Sequence, residues 1–125
     1  MIVTNVLDEL AAHSAGSFLN VVDFNGASLG ACDITGTSPV WEMHPDTDEL
    51  FYIIEGTFEV TLLKDVGPEH FVASAGSTLV IPKGLWHRPA APNGAKFIYL
   101  TPGTTLHSDA DDPRVDEGSK EQTVS

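Results

Sequence analysis

Trp41-Glu42-Met43-His44-Pro45-Asp46-Thr47-Asp48-Glu49-Leu50-Phe51-Tyr52-Ile53-Ile54-Glu55-Gly56 is the stretch on which the fold turns. Its opening alternates large apolar residues with Glu42 and His44. In an extended strand, side chains point to opposite faces in turn and the chain rises about 3.3 Å per residue, so these two share a face with their bases about 7 Å apart. Pro45-Asp46-Thr47-Asp48 supplies turn chemistry, and Glu49 opens a returning run rich in aromatic and β-branched side chains. A carboxylate at the head of an apolar strand is costly to bury alone, and a facing cation offsets that cost. Asp46 and Asp48 are expected to shape the turn rather than to reach the cation. Trp41 and Met43 take the opposite face and pack away from it.

A second stretch, Gly76-Ser77-Thr78-Leu79-Val80-Ile81-Pro82-Lys83-Gly84-Leu85-Trp86-His87, reads as a short apolar strand, a Pro-x-Gly turn and a new extended run begun by His87. His87 is the fourth candidate donor beside Glu42, His44 and Glu49. Phe51 and Ile53 share parity with Glu49, so with Leu85 they are expected to line a pocket around the donors. His13, His70 and His107 lie outside both stretches and are expected at the surface.

Around this centre, turn residues recur about every ten residues, and no intervening stretch is long and periodic enough for a crossover helix. That pattern indicates an all-β sandwich or barrel. Asn25-Gly26 between Phe18–Phe24 and the run from Ala27 to Thr35 is a strong two-residue hairpin signal. Glu55-Gly56 and Pro92-Asn93-Gly94 read as further turns. Near the start, Asn5 caps a short helix or turn carrying Val6, Leu7 and Leu10. After Pro102 the composition turns polar and acidic, so the expected organisation is one barrel domain over 1–102 with an N-terminal extension. Residues 103–125 are expected as an acidic tail, either mobile or lying across a partner subunit.

These motifs resemble those of the cupins. Glu49 and Gly56 keep the second half of the family's first motif and His44 matches its second histidine, while Glu42 stands where the first metal histidine would be. Gly76, Pro82, Gly84 and His87 match the second motif, whose closing asparagine is replaced by Ala91. The likeness is to small single-domain bacterial cupins often labelled mannose-6-phosphate isomerase-like. It implies a double-stranded β-helix, or jelly-roll barrel, that forms a homodimer. It also implies a divalent metal held by His44, Glu49 and His87, with Glu42 as fourth ligand. Glutamate and histidine project similar distances and bind first-row ions at about 2.0–2.2 Å, so the exchange is matched in length but not in charge. Two carboxylates and two imidazoles around a divalent ion sum to about zero, which favours harder ions such as Fe or Mn, with Zn or Ni as alternatives.

The formal net charge of -12 and pI near 4.4 disfavour nucleic acid and anionic membrane surfaces as partners. The single cysteine, Cys32, excludes an intramolecular disulfide and is expected to pack in the core. No stretch approaches the roughly 20 apolar residues of a membrane span and no basic region precedes the first apolar residues, so a cytoplasmic location is expected. Function is expected to be that of a mononuclear metalloenzyme of dioxygenase, isomerase or lyase type. Its substrate would be a small, largely apolar molecule that chelates through oxygen. A sugar phosphate is disfavoured, because the nearby basic residues are Lys83 in a turn and Arg88, which alternates away from His87. If Glu42 is not a ligand, it is the candidate catalytic base. The alternative is a non-catalytic module that binds a small ligand as sensor or carrier.

Overall fold

Asn25 and Gly26 both adopt left-handed backbone, with φ of 50° and 83°, the twist that a two-residue hairpin requires. They join β1 (Phe18–Phe24) to β2 (Ala27–Thr37) in the computed structural model, which describes residues 1–114 and the strand at 120–124. Upstream, α1 (Val6–Ala11) is capped as its sequence suggests: the Asn5 side chain accepts a hydrogen bond from the Asp8 N–H at 3.0 Å. The chain continues through β3 (Trp41–Met43), β4 (Glu49–Lys64), β5 (Gly67–Ser74), β6 (Thr78–Ile81), β7 (His87–Leu100), β8 (Thr104–Ser108) and β9 (Lys120–Val124). Every pairing is antiparallel.

β7 holds the barrel together. Along one edge it pairs with β2 and β3, along the other with β4, so that Phe97 lies between Cys32 and Ile53. Curling around this strand closes the sheet into a jelly-roll barrel. Glu55-Gly56 and Pro92-Asn93-Gly94 do not reverse the chain as turns. They bend two long strands together, with ladder shifts between Ile53 and Glu55 and between Gly56 and Glu59. Gly56 has φ of 79°, and a Cβ there would lie 2.2 Å from the Gly94 carbonyl oxygen, so glycine is needed for both conformation and close approach.

The inward residues meet in one apolar core. Phe51, Phe58 and Phe97 pack with ring centroids 5.0 to 5.4 Å apart, above Ile53, Val60, Ile81 and Cys32. Burial pushes the Cys32 thiol up to about 12, as suits a packing residue rather than a nucleophile. On the opposite face of β3, Trp41 and Trp86 pack with Leu63, Met43 and Leu106, and the Arg88 guanidinium lies 4.5 Å over the Trp41 ring. Alternation thus sends both tryptophans away from the donors, as expected from their neighbours in sequence.

Part of the stretch expected as a tail belongs to the barrel. β8 pairs with β3 in the register Trp41↔Ser108, Glu42↔His107 and Met43↔Leu106, and β9 pairs with β8. The polar composition concealed this because β8 takes its apolar anchor from a single residue, Leu106, while Thr105 and Ser108 are buried. Residues 115–119 and 125, also within the expected tail, lie outside the described residues. Among the described residues no helix is long and apolar enough to cross a membrane.

Candidate metal centre

Three strands deliver four donors to one point. Glu42 is the middle residue of β3, His44 follows that strand directly, Glu49 opens β4 and His87 opens β7. Their loops are tied together: the Gly84 N–H donates to the His44 carbonyl at 2.9 Å, and the Lys83 N–H donates to the Asp48 carboxylate at 2.9 Å. Asp48 therefore acts within the turn, as expected, and also binds the first motif to the second. One donor atom from each of Glu42, His44, Glu49 and His87 lies within 4.8 Å of the others. His44, Glu49 and His87 are only 3%, 4% and 1% exposed.

The arrangement of hydrogen bonds suits a cation. The His87 Nδ1–H donates to the Leu85 carbonyl at 3.2 Å, since a carbonyl can only accept. Nε2 of His87 therefore points inward, where it lies 3.3 Å from Glu49 Oε1 in ion-pair contact without a well-formed hydrogen bond. His44 repeats the pattern: Nδ1 lies 3.0 Å from Thr105 Oγ1, while Nε2 lies 3.1 Å from Glu49 Oε1. Two ring nitrogens and a carboxylate oxygen in mutual contact repel unless a proton or a metal ion sits among them. Without metal, a proton answers. Burial opposes charge on His44, but Glu49, and then Glu42, outweigh it and raise the imidazole above its usual 6.5. Burial likewise pushes the Glu49 carboxyl upward, and the imidazoles of His44 and His87 overcome this and hold it at about 2. The Thr101 hydroxyl donates to the other Glu49 oxygen, which fixes the carboxylate's direction. The donor set therefore fits a divalent ion.

A cavity of about 520 Å³ opens over these residues. Phe51 lines it as expected, but Ile53 and Leu85 do not: Ile53 is fully buried in the core and Leu85 packs against that core from outside. Parity assigns a face, not a depth, and Ile53 lies further along the barrel than Phe51. The other aromatic residues of its wall are Phe18 at the mouth, Phe97 and Tyr99. Tyr99 occupies space that Gly30 leaves open, since a Cβ at Gly30 would stand 2.3 Å from the phenol ring. Burial raises the Tyr99 phenol above its ordinary value, so it remains a hydrogen-bond donor.

Sequence reasoning missed Thr101, Thr105 and His107, all of which line the cavity. His107 was expected at the surface, but the pairing of β8 with β3 places it opposite Glu42, with Nε2 3.7 Å from Glu42 Oε1. The signal available was the alternation of Thr105 and His107 around Leu106. His13 and His70 are exposed as expected, and His70 Nε2 contacts Glu59 at 2.8 Å. Arg88 turns outward onto Trp41, and among the described residues the cavity wall includes no lysine or arginine.

Known proteins share this fold. A cupin-2 domain containing protein from Shewanella frigidimarina NCIMB 400 superposes with a TM-score of 0.71 at 30% identity, covering 80% of this chain and 94% of that one. Hydroquinone 1,2-dioxygenase from Sphingomonas sp. TTNP3, with 4-hydroxybenzoate bound, shares the fold with a TM-score of 0.67 at 21% identity, covering 77% of this chain and 71% of that one. In sequence, the uncharacterized protein YdbB of Bacillus subtilis strain 168 is 46% identical over 48 residues, 38% of this chain and 40% of YdbB. The chain spans 40% to 43% of the length of the curated relatives it matches. Residues 33–103, more than half of the chain, match the cupin domain of the Cupin_2 family, and the chain belongs to the cupin family.

Proposed function

We propose that this cupin is a mononuclear metalloenzyme whose ion is held by His44, Glu49, His87 and Glu42, with a small, largely apolar substrate that chelates through oxygen. The observation that supports this most is the convergence of four donor atoms within 4.8 Å, with the ring nitrogens turned toward the Glu49 carboxylate by the hydrogen bonds of their other nitrogens to Leu85 and Thr105. A divalent ion there would supply a Lewis acid to polarise and anchor substrate oxygen atoms.

The chain's own residues would do the rest. Phe18, Phe51, Phe97 and Tyr99 form an aromatic wall that excludes water and fits a flat ring. The protonated Tyr99 phenol offers a hydrogen bond to a substrate oxygen. Glu42, half-buried at the cavity, accepts a proton in turnover if the ion leaves it free. The net charge of the donors, two carboxylates against one divalent ion, favours Mn or Fe. A wall without lysine or arginine gives a sugar phosphate no charged partner. Because the same fold carries a hydroquinone dioxygenase, hydroquinones and catechols are the first compounds to try, followed by diketones.

The test is reconstitution of metal-free protein with Mn, Fe, Ni and Zn in turn, followed by incubation with those compounds under air. Turnover dependent on one bound ion supports the enzyme. Saturable binding of a catechol without turnover by any metal form supports a carrier or sensor, and failure to hold any of the four ions removes the proposal.

A further inference from the structure

The strand register sets three inward side chains in one row across β8, β3 and β7: His107, Glu42 and His87 are consecutive cross-strand partners. Glu42 sits between two imidazoles, with Oε1 3.7 Å from His107 Nε2 and Oε2 3.9 Å from His87 Nε2. One carboxylate oxygen, the inner, thus contacts His87 of the candidate metal centre, and the other, the outer, contacts His107. His107 is not among the four residues whose donor atoms converge, so its contact with the centre runs through Glu42. It is also partly buried, with its side chain 26% exposed, and lines the same cavity.

We infer that His107 is a positioning residue for Glu42: its imidazole, in contact with the outer carboxylate oxygen at 3.7 Å though beyond a direct hydrogen bond, restrains that side of the carboxylate so that the inner oxygen is presented as a metal ligand. The inference rests on the metal reading above. A glutamate has more rotatable bonds than a histidine, so a carboxylate recruited as a ligand needs an outer partner to fix its direction, as Thr101 does for Glu49. The carboxylate–imidazole pair on β3 and β8 would supply that restraint, and the C-terminal strand would then complete the site rather than merely close the barrel.

The test measures affinity for Mn(II) and Co(II) by competition with a chelator, without substrate, in wild type, His107→Ala, His107→Gln, Glu42→Gln and the double variant Glu42→Gln/His107→Ala. Removing a partner that orients a ligand weakens metal binding by about 10-fold to 100-fold. His107→Ala is expected in that range and to change the visible spectrum of the Co(II) form in the same sense as Glu42→Gln. His107→Gln, which keeps a side-chain N–H, should recover most of the affinity. In the Glu42→Gln background, His107→Ala should cost less than about 2-fold, because little interaction is left to lose. Wild type that binds metal while His107→Ala binds equally well overturns this inference alone, as does an equal loss in both backgrounds. Wild type that takes up no metal removes both this inference and the metal reading. Matching circular dichroism and melting temperatures across the variants separate loss of the ligand's orientation from loss of β8.

Discussion

Glu49→Gln isolates the electrostatic centre of the site, and its effect can be worked from the geometry. In the metal-free protein the two imidazoles hold the Glu49 carboxyl at about 2, against 4.5 when unperturbed. At about 1.4 kcal/mol per pH unit, that difference corresponds to roughly 3 kcal/mol of stability. The folded-state pKa is depressed, so this contribution is complete above 4.5 and is lost as pH falls from 4.5 toward 2. His44 moves the other way. Its folded pKa is raised above 6.5, so its share is complete below 6.5 and disappears as pH rises through the raised value. Both shifts describe one contact and are not added. Metal-free wild type should therefore be most stable between about pH 4.5 and 6.5, and Glu49→Gln should lose roughly 3 kcal/mol there. Urea denaturation at a series of pH values reads this directly, provided the slope of free energy against urea stays constant. Wild type and Glu49→Gln with the same stability at pH 5.5, or with the same decline in acid, would falsify the assignment of Glu49 as the buried anion.

Other expectations test the parts separately. Phe58→Ala, at the centre of the fully buried aromatic cluster, should cost about 3–5 kcal/mol in denaturant titration while leaving metal stoichiometry unchanged. Metal uptake should displace the proton that His44 holds, so calorimetry in buffers of different ionisation enthalpy should find more protons released at pH 6 than at pH 8. Gly56→Ala forces a Cβ against the Gly94 carbonyl at a left-handed position. It should lower the melting temperature by more than a Gly67→Ala control, whose added Cβ meets nothing within 4 Å.

The sequence made the site legible wherever the physics is local. Alternation placed Glu42 and His44 on one face, and turn chemistry at Pro45–Asp48 and Pro82–Gly84 brought Glu49 and His87 back toward them. What escaped was non-local or concerned depth. His107 reaches the cavity because β8 pairs with β3, a register that the polar run Thr104–Ser108 does not announce. Ile53 has the parity of Phe51 but lies too deep in the barrel to line the cavity. Gly56 and Gly94 read equally well as turns or bends in sequence, and it is their contact with each other that makes them bends.

The most direct test of the central claim is the metal content of wild type and His87→Ala after identical reconstitution with Mn or Fe and removal of free ion. One ion per chain in wild type and almost none in His87→Ala is predicted, because His87 directs its inward nitrogen at the shared point. Equal metal in the two proteins, or none in either, would contradict the account.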